Sequence, residues 1–278
     1  MNNLANKLNY IEDARSILKN VKCFILDLDG TFYLSDRIFD GSIDFLKTLE
    51  ANNIEFRFFT NNSSKNTQFY INKIKNMGYD LDENMMLISN QVIISYIKDK
   101  MPSKRIFILG NEYLKKDFKE ADLNLVEDNA EVVVVGFDTS LKYDNLSKAC
   151  RFIRNGAIFL GVNPDFNCPT VDGFIPDCGS ICSLITASTG VKPEFFGKPS
   201  KYTLDYVLKN TGYKDNEIAF VGDRLYTDIA IGKDNNSITI LVLSGEAKVK
   251  DLEKSEIQPT LVFNNLKEVG EILKSGKL

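Results

Sequence analysis

The sequence predicts an α/β fold, a doubly wound parallel sheet with a second, smaller α/β domain inserted into it, and three observations point there. Short apolar runs such as VKCFILDL (Val21–Leu28) show no two-residue alternation, as expected of strands covered on both faces. These runs alternate with segments of helical periodicity along the chain, which is the order of successive βα units. Polar residues suited to chemistry stand at strand ends, and one gap between them is domain-sized: 33 positions separate Asp27 from Thr60, whereas 138 separate Thr60 from Lys198.

The elements follow in order. Val21–Leu28, broken by Asp27 and followed by Gly30 and Thr31, reads as the first buried strand. A helical pattern near Ile43–Ala51 leads to a second strand, Ile54–Thr60, whose TNNSS ending offers Asn and Ser to start a helix near Thr67–Met77. Strands at Arg105–Gly110, Glu131–Phe137 and Ala157–Asn163 alternate with helical segments such as Tyr143–Arg154 and suggest an α/β unit of their own. Then come a helix near Lys201–Lys209, the strand Glu217–Gly222, a helix starting around Thr227, the strand Ser237–Leu243, and a last strand and helix from Pro259. Phe56–Phe59 and Val132–Val135 are core strands, and the Lys/Glu-rich stretches Lys115–Glu120 and Lys248–Glu256 read as solvated helix faces.

Composition excludes several chemistries. The 278 residues contain no histidine, so no Ser-His-Asp triad, no Cys-His dyad, no His-ligated zinc and no imidazole base can operate. Carboxylates, Lys, Ser, Thr, Asn and Cys remain. The balance of 34 Lys and Arg against 38 Asp and Glu gives no electrostatic reason to expect nucleic acid or an anionic membrane as partner, so a small ligand is expected. Five cysteines without a CxxC pair indicate neither a disulfide framework nor a zinc site. The N-terminus lacks the pattern of a secretory signal, no apolar stretch approaches the roughly 20 residues of a membrane span, and a cytoplasmic location is expected. Phosphate-cradling P-loop and dinucleotide fingerprints are absent; GKPS lacks the upstream glycine of the former.

Three strand ends carry the candidate chemistry: Asp27 and Asp29, Thr60 and Asn61, Asp223 and Asp228. Ligands of open α/β sheets bind beyond the carboxyl ends of the strands, which makes these segments candidates for one crevice. Carboxylates without His or Cys favour a hard cation with oxygen ligands, and Mg²⁺, which accepts few protein ligands beside waters and a phosphate, is the natural choice. Lys198, in FGKPSK, offers a positive charge for a phosphate. Asn62, with Ser63 and Ser64, either caps a helix or contacts a ligand.

DLDGT (Asp27–Thr31), TNN (Thr60–Asn62), GKPS (Gly197–Ser200) and GDRLYTD (Gly222–Asp228) resemble, in order, the four motifs of the haloacid dehalogenase superfamily of phosphatases. The resemblance implies that Asp27 is the nucleophile forming an aspartyl phosphate and that Asp29 is the general acid and base. It implies that Thr60, Asn61 and Asn62 hydrogen-bond the phosphoryl group while Lys198 neutralises it. Mg²⁺ would be held by Asp27, Asp223 and the backbone carbonyl of Asp29, with Asp228 a nearby supporting or alternative ligand. Phosphoryl transfer needs mainly positioning and charge stabilisation, so this set suffices without histidine.

The large gap between the second and third motifs is similar to the subfamily with an α/β cap at that place, which includes NagD-like nucleotidases, p-nitrophenylphosphatases and the phosphoglycolate and pyridoxal phosphate phosphatases of animals. It implies a Rossmann-like core from residues 1–80 and 183–278 and a cap over 81–182. Gly161–Ile181 is similar to that subfamily's return from cap to core, where the loop around Asn163–Cys168 faces the substrate; Cys168 reads equally as a buried small hydrophobe. Cys178 and Cys182, four apart on a helix, read as packing residues. The function expected is Mg²⁺-dependent hydrolysis of small phosphomonoesters, of the sugar phosphate, nucleoside monophosphate, phosphoglycolate or p-nitrophenyl phosphate type. The caps of that subfamily often mediate dimers, so the resemblance implies a homodimer through the cap. The alternatives are a phospho-accepting regulatory domain, disfavoured by the inserted domain and by Asp29, and a phosphotransferase to an acceptor other than water.

Overall fold

The computed structural model describes residues 11–170 and 172–274. The chain divides into two units, the first comprising residues up to Phe59, Met77–Tyr79 and the chain from Val207 onward, the second comprising Thr60–Asn76 and Asp80–Tyr206. The expected insertion, 81–182, lies within the second unit, which also takes in the Thr60 loop and the chain from residue 183 to Tyr206.

In the first unit, the apolar runs form parallel strands in the order Leu261–Phe263, Ile238–Val242, Ile218–Gly222, Cys23–Leu26 and Glu55–Thr60. Cys23–Leu26 is buried at every position because strands pair on both its edges and side chains cover both faces. Register fixes the strand ends: Leu26 pairs with Val221, and the Asp27 N–H donates to the Val221 carbonyl at 2.9 Å. The chain therefore leaves both strands at the same edge, which places Asp27 beside the Gly222–Asp223 turn. Edge-on aromatic packing fills the layer beside this sheet, Phe24 against Phe45 at 5.6 Å and Phe32 against Phe58 at 4.8 Å. Each such fully buried ring contributes about 2 to 3 kcal/mol through lost apolar hydration.

The second unit has a parallel sheet of its own in the order Glu194–Phe195, Ile158–Gly161, Val132–Val135 and Ile106–Leu109. Tyr143–Arg154 covers it with Leu146, Ala149, Cys150 and Ile153, spaced three and four apart on one helical face. Cys178–Thr189 adds Cys178, Ile181, Cys182 and Ile185; Asp177 caps its N-terminus and Gly190, at φ 77°, ends it. Cys178 and Cys182 lie in this core with their sulfurs 3.9 Å apart, as packing residues. Burial pushes the Cys182 thiol up, away from a reactive thiolate. An antiparallel hairpin, Asn167–Thr170 with Gly173–Pro176, precedes that helix.

Two readings of the sequence differ from the structure. The segment around Thr227 is a π-turn, Leu225–Ile229, followed by the short helical turn Ala230–Gly232 instead of a regular α-helix. Its start is set by Asp228, whose Oδ2 accepts from the Arg224 N–H at 3.1 Å, a bond across four residues that holds the wide turn. The stretch Lys248–Glu256 is helical only over Val249–Leu252. Among the described residues no helix is long and apolar enough to cross a membrane.

Candidate active site

Four of the residues singled out in the sequence lie in the first unit. Carboxylate oxygens of Asp27, Asp223 and Asp228 approach within 4.8 Å of one another. Asp223 and Asp228 are each only 2% exposed, so their charges repel in a poorly solvated space. Burial, followed by the Asp228 charge, pushes the Asp223 carboxyl up to about 7. An all-oxygen set of three carboxylates with mutual repulsion to relieve fits a hard divalent cation. The Asp29 side chain is not one of the three.

Small residues make the cluster sterically feasible. A Cβ on Gly222 would stand 2.1 Å from the Asp228 Cγ, one on Gly30 2.4 Å from the Asp223 Oδ2, and one on Gly245 1.9 Å from that same oxygen. Gly30 also adopts φ 89°, a left-handed turn that lets its N–H reach the Tyr33 carbonyl at 2.8 Å. Asp223 is held by the Glu246 N–H at 2.6 Å and more loosely by the Thr31 hydroxyl at 3.4 Å.

The other six lie in the second unit. Thr60 Oγ1 accepts from the Asn62 N–H at 3.2 Å. The Asn61 amide is committed to protein: Nδ2 donates to Asp165 Oδ2 at 2.8 Å and to the Lys198 carbonyl at 2.9 Å, and Oδ1 accepts from the Lys198 N–H at 2.8 Å. Asn163, fully buried, donates to the Asn61 carbonyl and accepts from the Asp165 N–H at 3.1 Å. The side chains of Asn61 and Asn163 therefore bind the loops to each other. Lys198 is 3% exposed. Asn62 Oδ1 accepts from both the backbone and the hydroxyl of Ser64, and its Nδ2 donates to Cys168 Sγ at 3.7 Å. The helix Thr67–Asn76 is instead capped by Asn66, whose Oδ1 accepts from the Phe69 N–H at 3.1 Å. Cys168 is half-buried and packs against the core of its unit.

The family model for haloacid dehalogenase-like hydrolase matches residues 24–124, and a second, HAD-hydrolase-like, matches residues 195–269. The chain is 34% identical over 250 residues to an acid sugar phosphatase of Staphylococcus epidermidis, covering 90% of this chain and 96% of that one. The chain belongs to the haloacid dehalogenase-like hydrolases. Among solved structures, a 4-nitrophenylphosphatase from Thermotoga maritima superposes with a TM-score of 0.89 at 42% identity, covering 92% of this chain and 98% of that one. NagD from E. coli K-12 superposes with a TM-score of 0.83 at 28% identity, covering 89% and 98%. This haloacid dehalogenase-like hydrolase is NagD-like, of the phosphatase type.

Some residues around the two sets escaped the sequence reading of this hydrolase. The Ser244–Glu246 turn, which holds Asp223 and also bonds the Gly30 carbonyl through the Ser244 hydroxyl at 2.8 Å, follows a strand end in the LSGEA segment and carried the same signal as the other strand ends. Phe137, whose N–H donates at 2.8 Å to the hydroxyl of the fully buried Ser63, stands 74 positions from it and carried no local signal. Asp165 lies in the Asn163–Cys168 loop, but its own part carried no local signal, because its partner Asn61 stands 104 positions away.

Proposed function

We propose that the chain is a Mg²⁺-dependent phosphatase that hydrolyses small phosphomonoesters through an aspartyl phosphate on Asp27. The observation that carries this is the three-carboxylate group of Asp27, Asp223 and Asp228 in a chain without histidine that belongs to this hydrolase family. Asp27, Asp223, Asp228 and the backbone carbonyl of Asp29 would hold the cation. When bound, Mg²⁺ supplies positive charge to the phosphoryl oxygens and to the Asp27 carboxylate.

In the first step an Asp27 carboxylate oxygen attacks phosphorus and the ester P–O bond breaks, while the Asp29 carboxylic acid gives its proton to the leaving oxygen. In the second step the Asp29 carboxylate takes a proton from water as that water attacks phosphorus, releasing phosphate and the Asp27 carboxylate. Thr60, Asn62 and the main chain of Asn61 orient the phosphoryl group, Lys198 balances its charge, and the loop with Asn163 and Cys168 contributes to substrate choice.

In this reading residues 1–80 and 183–278 form the catalytic core and 81–182 the cap. The substrates are metabolite-sized: sugar phosphates, nucleoside monophosphates, phosphoglycolate or p-nitrophenyl phosphate. The named activities of the relatives, an acid sugar phosphatase and a 4-nitrophenylphosphatase, support that class. The enzyme would work in the cytoplasm, without nucleic acid or membrane as partner, and as a homodimer if its cap pairs. Phosphate release from a panel of such esters, with Mg²⁺ or EDTA, tests the reading. Turnover that requires the metal and is lost in Asp27→Asn and Asp29→Asn is expected; turnover undiminished in Asp27→Asn would overturn it.

A further inference from the structure

We propose that Asp165 is a positioning residue of this site: its buried carboxylate anchors the Asn61 amide, and Asn61 clamps the main chain of Lys198 on both its N–H and its C=O. The proposal rests on the reading of Lys198 as the residue that balances the phosphoryl charge.

The argument starts from a closed ring of hydrogen bonds. Asn61 Nδ2 donates to Asp165 Oδ2, the Asp165 N–H donates to Asn163 Oδ1, and Asn163 Nδ2 donates to the Asn61 carbonyl. Each residue gives one bond and receives one, and none is more than 6% exposed, so water does not compete effectively for these groups. The ring joins segments about a hundred positions apart in sequence.

The Asn61 side chain ties Lys198 to this ring, with 2.8 Å to its N–H and 2.9 Å to its carbonyl. Those two bonds set the Lys198 main chain against Asn61, beside the Gly197 N–H bond to the Val162 carbonyl at 2.7 Å. Asp165 ties the Asn61 amide to a helix as well, because its own carbonyl accepts from the Gly179 N–H at 2.8 Å, at the first turn of the helix Cys178–Thr189.

Asp165 Oδ2 stands as the acceptor of the Asn61 Nδ2, which suits the Asn61 amide in one of its two nearly isosteric orientations. That is the orientation Lys198 requires. Turned over, the amide would set its oxygen against both the Asp165 carboxylate and the Lys198 carbonyl. The fit is tight as well: a Cβ on Gly197 would stand 2.6 Å from Asn61 Oδ1 and 2.8 Å from the Asn163 Cβ, so the Lys198 peptide reaches the ring only behind a glycine.

The test is a double-mutant cycle read in kcat and KM with p-nitrophenyl phosphate. Asp165→Ala is expected to lower kcat/KM by about 10- to 100-fold, the usual consequence of releasing a residue that orients a reacting group. Asp165→Asn, which retains an oxygen acceptor, is expected to recover most of that loss. In an Asn61→Ala background, Asp165→Ala should add no more than about a further 2-fold, the error of additivity.

A full multiplicative loss on that background, or wild-type kinetics in Asp165→Ala, would overturn the proposal. Hydrogen exchange of the Asn61 side-chain NH2, followed by NMR, gives a readout independent of activity: slow in the wild type and fast in Asp165→Ala, or in Asp165→Ser should the alanine variant not fold. Equal exchange in wild type and variant would also overturn it. Full turnover in Lys198→Ala would refute the reading of Lys198 instead, and the exchange measurement would then decide the clamp alone.

Discussion

Gly245→Ala perturbs the carboxylate cluster without touching a charge. The added Cβ would meet Asp223 Oδ2 at 1.9 Å and its Cγ at 2.4 Å. Non-bonded heavy atoms settle near about 3.5 Å, so one partner must move by roughly 1.5 Å. Asp223 has little room to give, being 2% exposed and bonded to the neighbouring Glu246 N–H. Gly245 does not occupy the left-handed region, so the substitution carries no backbone strain and the contact alone is tested. Overpacking of this kind costs about 1 to 3 kcal/mol of stability. A displacement of about 1 Å in a reacting group costs about 100-fold in rate. Gly270→Ala is the contrast, because its Cβ meets nothing closer than 3.5 Å and lies within the helix Leu266–Lys274. Helix propensity alone should stabilise that variant by about 0.5 to 1 kcal/mol. Urea unfolding and magnesium-dependent phosphate release would be measured for both. Wild-type kcat/KM and an unaltered metal requirement in Gly245→Ala would refute the claim that the position of Asp223 governs activity.

Further outcomes follow from the same contacts. In EDTA the Asp223 carboxyl, pushed up to about 7 against about 3.9 in the unfolded chain, costs stability as pH rises from 4 toward 7, because the unfolded chain releases its proton first. Asp223→Asn should therefore exceed the wild type at pH 8, by roughly 4 kcal/mol at most, and match it below pH 4, while losing metal-dependent turnover; pH-dependent unfolding in EDTA checks this. Asp117, half-buried beside Asn90, is pushed up to about 6 mainly by burial. Asp117→Asn should stabilise the protein above pH 6 by about 1 kcal/mol after allowance for solvent screening, with the gain vanishing toward pH 4, as thermal melts would show. Ser63→Ala leaves the Phe137 N–H without its acceptor and should cost about 1 to 3 kcal/mol in urea unfolding.

Much of the architecture was legible because burial on both faces leaves a plain mark. Cys23–Leu26 and Val132–Val135 are unbroken apolar runs, and Tyr143–Arg154 shows its buried face at three- and four-residue spacing. The carboxylate cluster was legible for a related reason: parallel register brings strand ends together, so acids at two such ends meet. Features that depend on contacts distant in sequence were not legible. The wide turn at Leu225–Ile229 arises from one side-chain bond to the Arg224 N–H, which no periodicity reports. That the Asn61 and Asn163 amides join their loops through Asp165 and Lys198 has no local signal, since the partners stand about a hundred positions apart. The strand Met86–Ile88 has only three residues, too short to show a period, and the helix Ser89–Lys100 after it buries Val92, Ile93 and Ile97 among residues of mixed polarity.

The most direct test of the central claim is covalent trapping. Asp29→Asn enzyme with Mg²⁺ would be mixed with a radiolabelled small phosphomonoester, acid-quenched, and digested to locate the label. With p-nitrophenyl phosphate as the ester, whose leaving group departs without the proton of Asp29, removing the base for the second step should leave hydroxylamine-labile phosphate on the peptide containing Asp27, and none in Asp27→Asn or in EDTA. Label on any other residue, or turnover by wild-type enzyme with no phosphate ever trapped on Asp27, would contradict the account.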